Sequence, residues 1–299
     1  MTSPDLPARL PPWTLALAAM VVVQLGAALS VPLIGVVGPA GTAWLRLTMG
    51  AIIFVAVSRP PLRQVRRGDV VVLLALGVAT GLVTSAFLTA VARIPLGTAV
   101  AIEFLGPLTV ATVRAPNRRL LVWPLLALVG VVLMTRPWIG ETNPVGIAFA
   151  ALAAVGWGTY IVLTQRVGDR FSGISGLSLT IPVAALTAAV VGVPQAWGHI
   201  TLTVVAAALG LAVLMPVLTF GLEMLALRRM TSTAFGTLMA LEPAFAMLMG
   251  VLLLHQVPVP LQLVGLTLVV LAGAAAQRGG RRGPHVDHAH PHSELDLLG

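Results

Sequence analysis

The chain has 299 residues, of which 58% are hydrophobic and only 9% are charged. Soluble domains carry about 25% charged residues, so this composition excludes a water-soluble protein and predicts an integral membrane protein. The absence of cysteine excludes disulfides, thiolate metal sites and cysteine nucleophiles, and the net charge of +8 comes from arginine because the chain has no lysine.

Ten apolar runs are each long enough to cross the hydrocarbon core of a bilayer, which needs about 20 mostly apolar residues. Clusters of Gly, Pro and Arg separate the runs. We therefore predict an all-α integral membrane protein with ten transmembrane helices, near 13–37, 41–58, 70–92, 96–114, 120–135, 144–165, 173–193, 202–226, 232–254 and 260–277.

The arginines alternate between the two sides of these spans. If the N-terminus is cytoplasmic, 15 arginines lie in cytoplasmic segments, against only Arg93 and Arg136 on the other side. The positive-inside rule then predicts a multi-pass protein of the bacterial inner membrane with both termini cytoplasmic. The first run resembles a signal peptide with a cleavage-like end at 26–30, but it continues to Val37, so we interpret it as a span.

The two halves of the chain partly match each other. Residues 45–48 (LRLT) align with 177–180 (LSLT) at a shift of 132, and further on, with an insertion in the second half, Glu103 aligns with Glu242. Because each copy has five spans, the second must cross the membrane in the opposite direction. We predict two inverted five-helix repeats, 1–139 and 140–278, with a binding site near the midplane at their interface.

Two glutamates lie inside these spans. We expect Glu103 about 10 Å below the outer end of the fourth span and Glu242 about 15 Å into the ninth. Pro107 and Pro243 each leave a helix carbonyl without its N–H donor, so we expect both helices to bend beside the acid. A carboxyl group shielded from water favours its protonated form, which suits it to carry a proton. The alternative is a structural acid paired with arginine or with a neighbouring helix.

Two other charged residues each allow two interpretations. Arg46, about 8 Å inside the second span, can pair with Glu103 or bind a cargo carboxylate, or it can snorkel to the outer interface. Glu223 lies near the cytoplasmic end of the eighth span, where an ion pair with Arg228 or Arg229 is the simpler interpretation.

Three uncharged residues, Gln24, Trp157 and Tyr160, are candidates for lining a polar cavity, although a buried tryptophan is more often part of the packing. Two stripes of small residues predict close helix packing. They are Gly77, Gly81, Ser85 and Thr89 in the third span, and Gly146, Ala150, Ala154 and Gly158 in the sixth. The fifth and tenth spans carry no interior charge, so we expect them at the periphery, where a homodimer contact is conceivable.

Nothing in the sequence predicts a cofactor, a metal centre or a nucleic-acid module. The tail at 279–299 is rich in histidine, which permits metal binding on composition, but we interpret it as a disordered cytoplasmic tail. One enzymatic alternative rests on GISG at 173–176, which matches the G-x-S-G of intramembrane serine proteases, with His255 as the base. The predicted topology puts Ser175 and His255 on opposite sides of the membrane, so we expect no enzyme.

Three segments carry a resemblance to a known family: 21–47 (VVVQLGAALSVPLIGVVGPAGTAWLRL), 93–111 (RIPLGTAVAIEFLGPLTVA) and 222–246 (LEMLALRRMTSTAFGTLMALEPAFA). They resemble the drug/metabolite transporter superfamily of the EamA type, and within it the threonine/homoserine exporters. The resemblance implies a ten-helix fold of two inverted repeats and export of small amino acids or related polar metabolites by alternating access, exchanged for protons. Glu103, Glu242, Arg46, Glu223 and Gln24 fall at matching positions.

The resemblance leaves the cargo open. Ser30 stands where that branch tends to have a lysine, and residues 80–90 lack an expected asparagine and tyrosine. Efflux of drugs or of other metabolites by the same fold is therefore the alternative function. Cargo, protons and membrane lipid are the expected partners.

Overall fold

The computed structural model describes residues 11–58, 65–113, 118–139, 143–168, 174–227, 229–230 and 232–279. The predicted tail, 279–299, lies outside the described residues except for Gly279. In the described ranges all regular structure is helical, as the composition predicts.

The α-helices are, in chain order, α1 (Pro12–Ser58), α2 (Arg67–Val91), α3 (Leu96–Glu103), α4 (Leu105–Val113), α5 (Val122–Thr135), α6 (Pro144–Gly168), α7 (Ile174–Ala196), α8 (Leu202–Ala212), α9 (Thr219–Leu227), α10 (Ser232–Met239), α11 (Glu242–Leu254) and α12 (Pro260–Gly279). Short 3₁₀ turns at Arg118–Leu121 and Pro137–Ile139 flank α5, and a π-helical segment, Val213–Leu218, joins α8 to α9.

Eight stretches of helix in the described part of the chain are long and apolar enough to cross a membrane. The first of them, α1, has 47 residues, more than twice what one crossing needs. A further apolar helix occupies Pro260–Ala276. The arrangement is compatible with the predicted ten spans, and the helix ends lie within a few residues of the predicted boundaries.

The helix α1 reverses direction at Gly38, whose φ of 71° and ψ of 167° are non-helical and unfavourable for any residue with a side chain. Residues 12–37 form its first arm and residues 39–58 its second arm. Gly26 of the first arm packs against Met215 and Gly50 of the second arm packs against the next residue, Pro216, so the two arms run back past the same point of the fold. A single residue therefore makes the turn between two spans.

Side-chain contacts place five segments at one end of the bundle, which we call the Gly38 face. They are Gly38 itself, the turn 92–95, Arg136, residues 197–201 and residues 255–259. The direction of α2 relative to α7 supports this, because Gly77 packs against Val183 and Gly81 against Thr187. The two helices are thus parallel and end on the same side.

The predicted small-residue stripes are packing faces. Gly81 approaches the Ala184 carbonyl of α7 so closely that an added Cβ would lie 2.6 Å from its oxygen, and Gly146 of α6 packs against Ile94. A further pair was not predicted: Gly130 of α5 and Gly265 of α12 each face the other's carbonyl oxygen, at 2.5 Å from an added Cβ. Small residues at these points let the helices approach closely.

The outer surface of the bundle is apolar. Large hydrophobic side chains such as Leu202, Val190 and Val155 are 85%, 75% and 69% exposed. A surface of this kind suits lipid and not water, because apolar area is costly to expose to water. The fold is that of a multi-pass membrane protein.

Candidate functional site

The fourth span is interrupted beside its acid. The helix α3 ends at Glu103 and α4 begins at Leu105. Pro107 has no N–H to donate to the Glu103 carbonyl, so the helical hydrogen-bond ladder is broken at this point. The ladder resumes on either side, since the Phe104 N–H donates to Val100 O at 2.9 Å and the Leu108 N–H donates to Phe104 O at 3.2 Å. The break in hydrogen bonding at Pro107 is present, and the expected bend of the span stays a prediction.

The ninth span is interrupted in the same way. The helix α10 ends at Met239 and α11 begins at Glu242, with Pro243 as its second residue. Pro243 lacks the N–H that would bind the Met239 carbonyl, and the chain instead forms a tight turn in which the Leu241 N–H donates to Leu238 O at 2.8 Å. Glu242 therefore stands at the N-terminus of a half-helix buried inside the bundle.

The half-helices α3 and α11 pack against each other. Gly97 of α3 faces Met247 of α11, and an added Cβ there would lie 3.0 Å from the Met247 Cα. The two helices run antiparallel, so the residue six positions after Gly97 lies at nearly the same depth as the residue five positions before Met247. Glu103 and Glu242, which occupy these positions, are 8% and 5% exposed and interact electrostatically. The structure therefore brings the two predicted acids together at the two helix breaks.

Arg46, on the second arm of α1, is 5% exposed. It interacts electrostatically with Glu103 and is directed into the bundle. Its Nη1 atom is buried without a hydrogen-bond partner among the described residues. A guanidinium donor left unpaired in this way is available to bind an anionic group.

Four more buried polar atoms lack a hydrogen-bond partner in the described part of the chain: Gln24 Oε1, Thr48 Oγ1, Thr164 Oγ1 and Glu242 Oε2. Such groups cost about 1–3 kcal/mol each when nothing satisfies them, so each is a candidate for binding water or a polar ligand. Thr48 was not among the residues selected from the sequence. In the sequence, only its position two residues after Arg46 points to Thr48 as a site residue.

The remaining candidates lie toward the opposite end of the bundle. Glu223 of α9 is half-buried and interacts electrostatically with Glu242 and with Tyr160 of α6. Trp157 lies about one turn before Tyr160 and is also half-buried. Of the two arginines expected to pair with Glu223, Arg228 lies outside the described residues.

The charged residues thus form a continuous electrostatic series along the bundle. Arg46 interacts with Glu103, Glu103 with Glu242, and Glu242 with Glu223. Consecutive members come from different helices, so the series depends on the tertiary fold. A series of this kind places charges of both signs inside the bundle, where a charged ligand can interact with them.

Two glutamines that the sequence analysis did not select cap helices at the Gly38 face. Gln195 Oε1, at the end of α7, accepts hydrogen bonds from the Ala40 N–H at 2.7 Å and the Gly41 N–H at 3.1 Å. Gln256 Oε1 accepts from the Leu96 N–H at 2.9 Å, at the first residue of α3. All three bonds satisfy N–H groups that have no acceptor within their own helix.

Gln262 of α12 makes a third connection at this face. Its Nε2 donates to Met134 O near the end of α5 at 3.0 Å, and its Oε1 accepts from the Val259 N–H at 3.1 Å. The only hint in the sequence is that each of the three glutamines lies within two residues of a proline, near one end of an apolar run.

The alternative serine–histidine pair is not brought together. Ser175 lies in the first turn of α7, and the other end of this 23-residue helix lies at the Gly38 face. His255 is at the Gly38 face, where it ends α11 with a φ of 56°. Ser175 is therefore about 30 Å of helix away from the face on which His255 lies.

Comparisons with known proteins agree with this arrangement. The EamA-like transporter family matches residues 144–275. The threonine/homoserine exporter RhtA of Escherichia coli (strain K12) is 33% identical over 276 residues, covering 88% of this chain and 91% of the relative. The chain belongs to the EamA-like transporter family.

A second relative supports the placement in the EamA-like family, and one solved structure shares the fold. The threonine/homoserine exporter RhtA of Salmonella typhimurium (strain LT2) is 31% identical over 290 residues, covering 93% of this chain and 96% of the relative. One solved crystal structure, 18% identical, aligns with a TM-score of 0.58 over 90% of this chain and 98% of that chain. That likeness shows the fold alone.

Proposed function

We propose that this EamA-like transporter is a secondary active exporter of small amino acids such as threonine and homoserine, and that it exchanges them for protons. The observation that carries the proposal is the pair of buried acids, Glu103 and Glu242, at the breaks of two spans that pack together. The relatives named as threonine/homoserine exporters, which match nearly the whole chain, support the class of cargo.

The proposal includes an architecture of two inverted repeats, 1–139 and 140–278, with both termini cytoplasmic. The Gly38 face is then the outer face. Equivalent breaks in the fourth and ninth spans, with the outer halves α3 and α11 antiparallel, support this symmetry. Discontinuous helices at a repeat interface are the usual setting for cargo and ion sites in such transporters, which alternate access by movement of one repeat against the other.

Glu103 and Glu242 are the proposed proton carriers. Two carboxylates that are buried close together repel each other, so protonation of one relieves the repulsion. Binding of a proton from the outer side and release of cargo to that side would then be linked. Glu223 connects this pair electrostatically with the cytoplasmic end.

The cargo site proposed here has poles of both signs. The unpaired Nη1 of Arg46 suits the carboxylate of an amino acid, and the unpaired Oε2 of Glu242 suits its ammonium group. Gln24 Oε1 and Thr48 Oγ1 provide partners for a cargo hydroxyl, while Trp157 and Tyr160 close the side toward α6. Zwitterions satisfy both poles, whereas apolar drugs leave them unpaired.

The proposed function requires no cofactor. Besides cargo and protons, the expected partners of the protein are membrane lipid and a second copy of the chain. The fifth and tenth spans, α5 and α12, pack against each other and expose large apolar side chains such as Leu125 and Leu271. These are the features that a homodimer contact through the two spans would use.

The test is uptake of labelled threonine and homoserine into liposomes that contain the purified protein, with a pH gradient across the membrane. We expect gradient-driven uptake, and we expect the double variant Glu103→Gln/Glu242→Gln to lose its response to the gradient. Asp69→Asn is the matched control, because Asp69 is also a buried acid but caps α2 through the Arg66 N–H at 3.0 Å, an interaction that asparagine retains.

Uptake at the unchanged rate and with unchanged proton sensitivity in the double variant would remove the acids from the mechanism. Uptake no greater than in empty liposomes would discard the cargo. A screen of other metabolites and drugs in the same vesicles would then decide between the exporter and the alternative efflux function.

A further inference from the structure

A cavity of about 300 Å³ lies at the Gly38 face, above the acid pair. Both half-helices that carry the acids contribute to its wall: Thr98 lies five residues from Glu103 on α3, and Met247 lies five residues from Glu242 on α11. Five residues of helix rise about 7.5 Å, so the cavity is separated from the acids by little more than one helical turn.

The lining of this cavity is mixed. Arg136, Gln256, Gln262 and Thr98 contribute a guanidinium, two amides and a hydroxyl, and Met247 and the segment 257–259 contribute apolar groups. A volume of 300 Å³ is at the lower end of the range for small-molecule sites. The positive charge of Arg136 and the amide donors suit the carboxylate of a small amino acid.

The wall of the cavity is held by hydrogen bonds between distant parts of the chain. Gln256, in the segment after α11, accepts from the Leu96 N–H of α3 at 2.9 Å across 160 residues of sequence. Gln262 donates to Met134 O at 3.0 Å across 128 residues. Either bond breaks if α3 and α5 move away from α11 and α12.

Gly250 provides the space that the Gln256 side chain needs. A Cβ at this position would lie 2.8 Å from Gln256 Oε1, closer than real contacts allow. The Gly250 carbonyl also accepts from the Gln256 backbone N–H at 3.0 Å. Alanine at position 250 therefore displaces Gln256 from Leu96 without changing the glutamine itself.

We propose that this cavity is a second binding site for the cargo, an exit vestibule above the acid pair, and that Gln256 is the latch that holds it closed. The inference rests on the proposed export of amino acids for its ligand. The latch itself follows from the Leu96–Gln256 bond, because that bond joins the two half-helices at the point where the cavity would open.

The chain contains no cysteine, so single-cysteine variants can test the latch directly. Thr98→Cys places a thiol on the cavity wall at a side chain that is 2% exposed. We expect a membrane-impermeant thiol reagent added from the outer side to label this variant slowly. Adding Gln256→Leu or Gly250→Ala should speed labelling about fivefold, the change in equilibrium that one net hydrogen bond supports.

Ala208→Cys is the matched control. Ala208 is 0% exposed on α8, in a core cluster away from the cavity. Its labelling should not change with Gln256→Leu. Equal acceleration at both positions would show general loosening of the bundle and would overturn the latch, as would unchanged labelling of Thr98→Cys in both latch variants.

Threonine tests the vestibule as a binding site. Saturating threonine should slow the labelling of Thr98→Cys/Gln256→Leu, and threonine amide, which lacks the carboxylate, should not. Absence of protection by threonine would overturn the binding site. If the protein does not transport threonine, the proposed function fails in the liposome experiment, while the labelling rates with and without Gln256→Leu still decide the latch.

Discussion

Glu103 is the last residue of one half-helix and Glu242 is the first residue of another, and the two half-helices pack side by side near the middle of the bundle. Each acid therefore stands where a helix has been opened by a proline, next to backbone groups that the helix no longer satisfies. The buried acidic side chains and the backbone groups without helical hydrogen bonds therefore lie at the same depth of the bundle. A transporter needs groups at this depth that can change their hydrogen-bond partners.

The prolines beside the acids should matter for transport more than for stability. Pro107→Ala restores an N–H that can donate to the Glu103 carbonyl, and Pro243→Ala does the same for Met239, so both spans become more continuous. We expect initial uptake rates in liposomes to fall several-fold while the midpoint of thermal unfolding stays the same or rises. Pro182→Ala is the control, because α7 continues through Pro182 without a break. A fall in unfolding temperature that parallels the loss of transport would contradict this prediction.

The electrostatic interaction between Arg46 and Glu103 should appear in a double-mutant cycle. Arg46→Gln leaves Glu103 without its nearest positive charge, and Glu103→Gln leaves Arg46 without its negative partner. We expect each single variant to lose stability and the double variant to lose less than the sum, with a coupling of about 0.5–3 kcal/mol. The free energy of unfolding in detergent measures this coupling, and strictly additive losses would show that the two charges do not interact.

The Gln195 side chain should stabilise the turn at Gly38. Gln195→Leu removes the acceptor for the Ala40 and Gly41 N–H groups, and we expect a loss of about 1–3 kcal/mol in unfolding free energy. Gln195→Glu keeps an acceptor at the N-terminus of the second arm and should retain most of the stability. If leucine and glutamate at this position gave equal unfolding free energies, the amide cap would have no energetic role.

The contact between Gly130 and Gly265 should tolerate no side chain. A Cβ on Gly130 would lie 2.5 Å from the Gly265 carbonyl oxygen, so Gly130→Ala must push α5 away from α12, at a cost of about 1–3 kcal/mol. Gly210→Ala serves as the control because nothing lies within 4 Å of an added Cβ on that residue of α8. Thermal unfolding compares the two, and equal midpoints would show that α5 and α12 separate easily.

Much of this architecture could be predicted because a bilayer imposes strong rules on sequence. Apolar length gave the positions of the helices to within a few residues. Pro107 and Pro243 mark the two places beside the acids where helical hydrogen bonds are missing, and the bends expected there stay predictions. The proximity of Glu103 to Glu242 was harder to foresee. It depends on how α3 packs against α11, and the sequence offered only the weak internal match between the halves.

Other features could not be predicted because they depend on partners far along the chain. Gln195 and Gln256 acquire their roles only when the fold brings the N–H groups of Ala40 and Leu96 beside them, at separations of 155 and 160 residues. The π-helical segment around Pro216 was also missed, since apolar periodicity reads residues 202–226 as one regular helix. Tertiary packing decides such details.

The turn at Gly38 has a mechanical consequence. The two arms of α1 are joined without any connecting loop, so no slack separates them and a tilt of one arm must displace the other. Gln24 is on the first arm and Arg46 is on the second, so both side chains move when the turn at Gly38 moves. A displacement at the Gly38 face, where Gln195 binds the turn, would therefore shift both polar groups together.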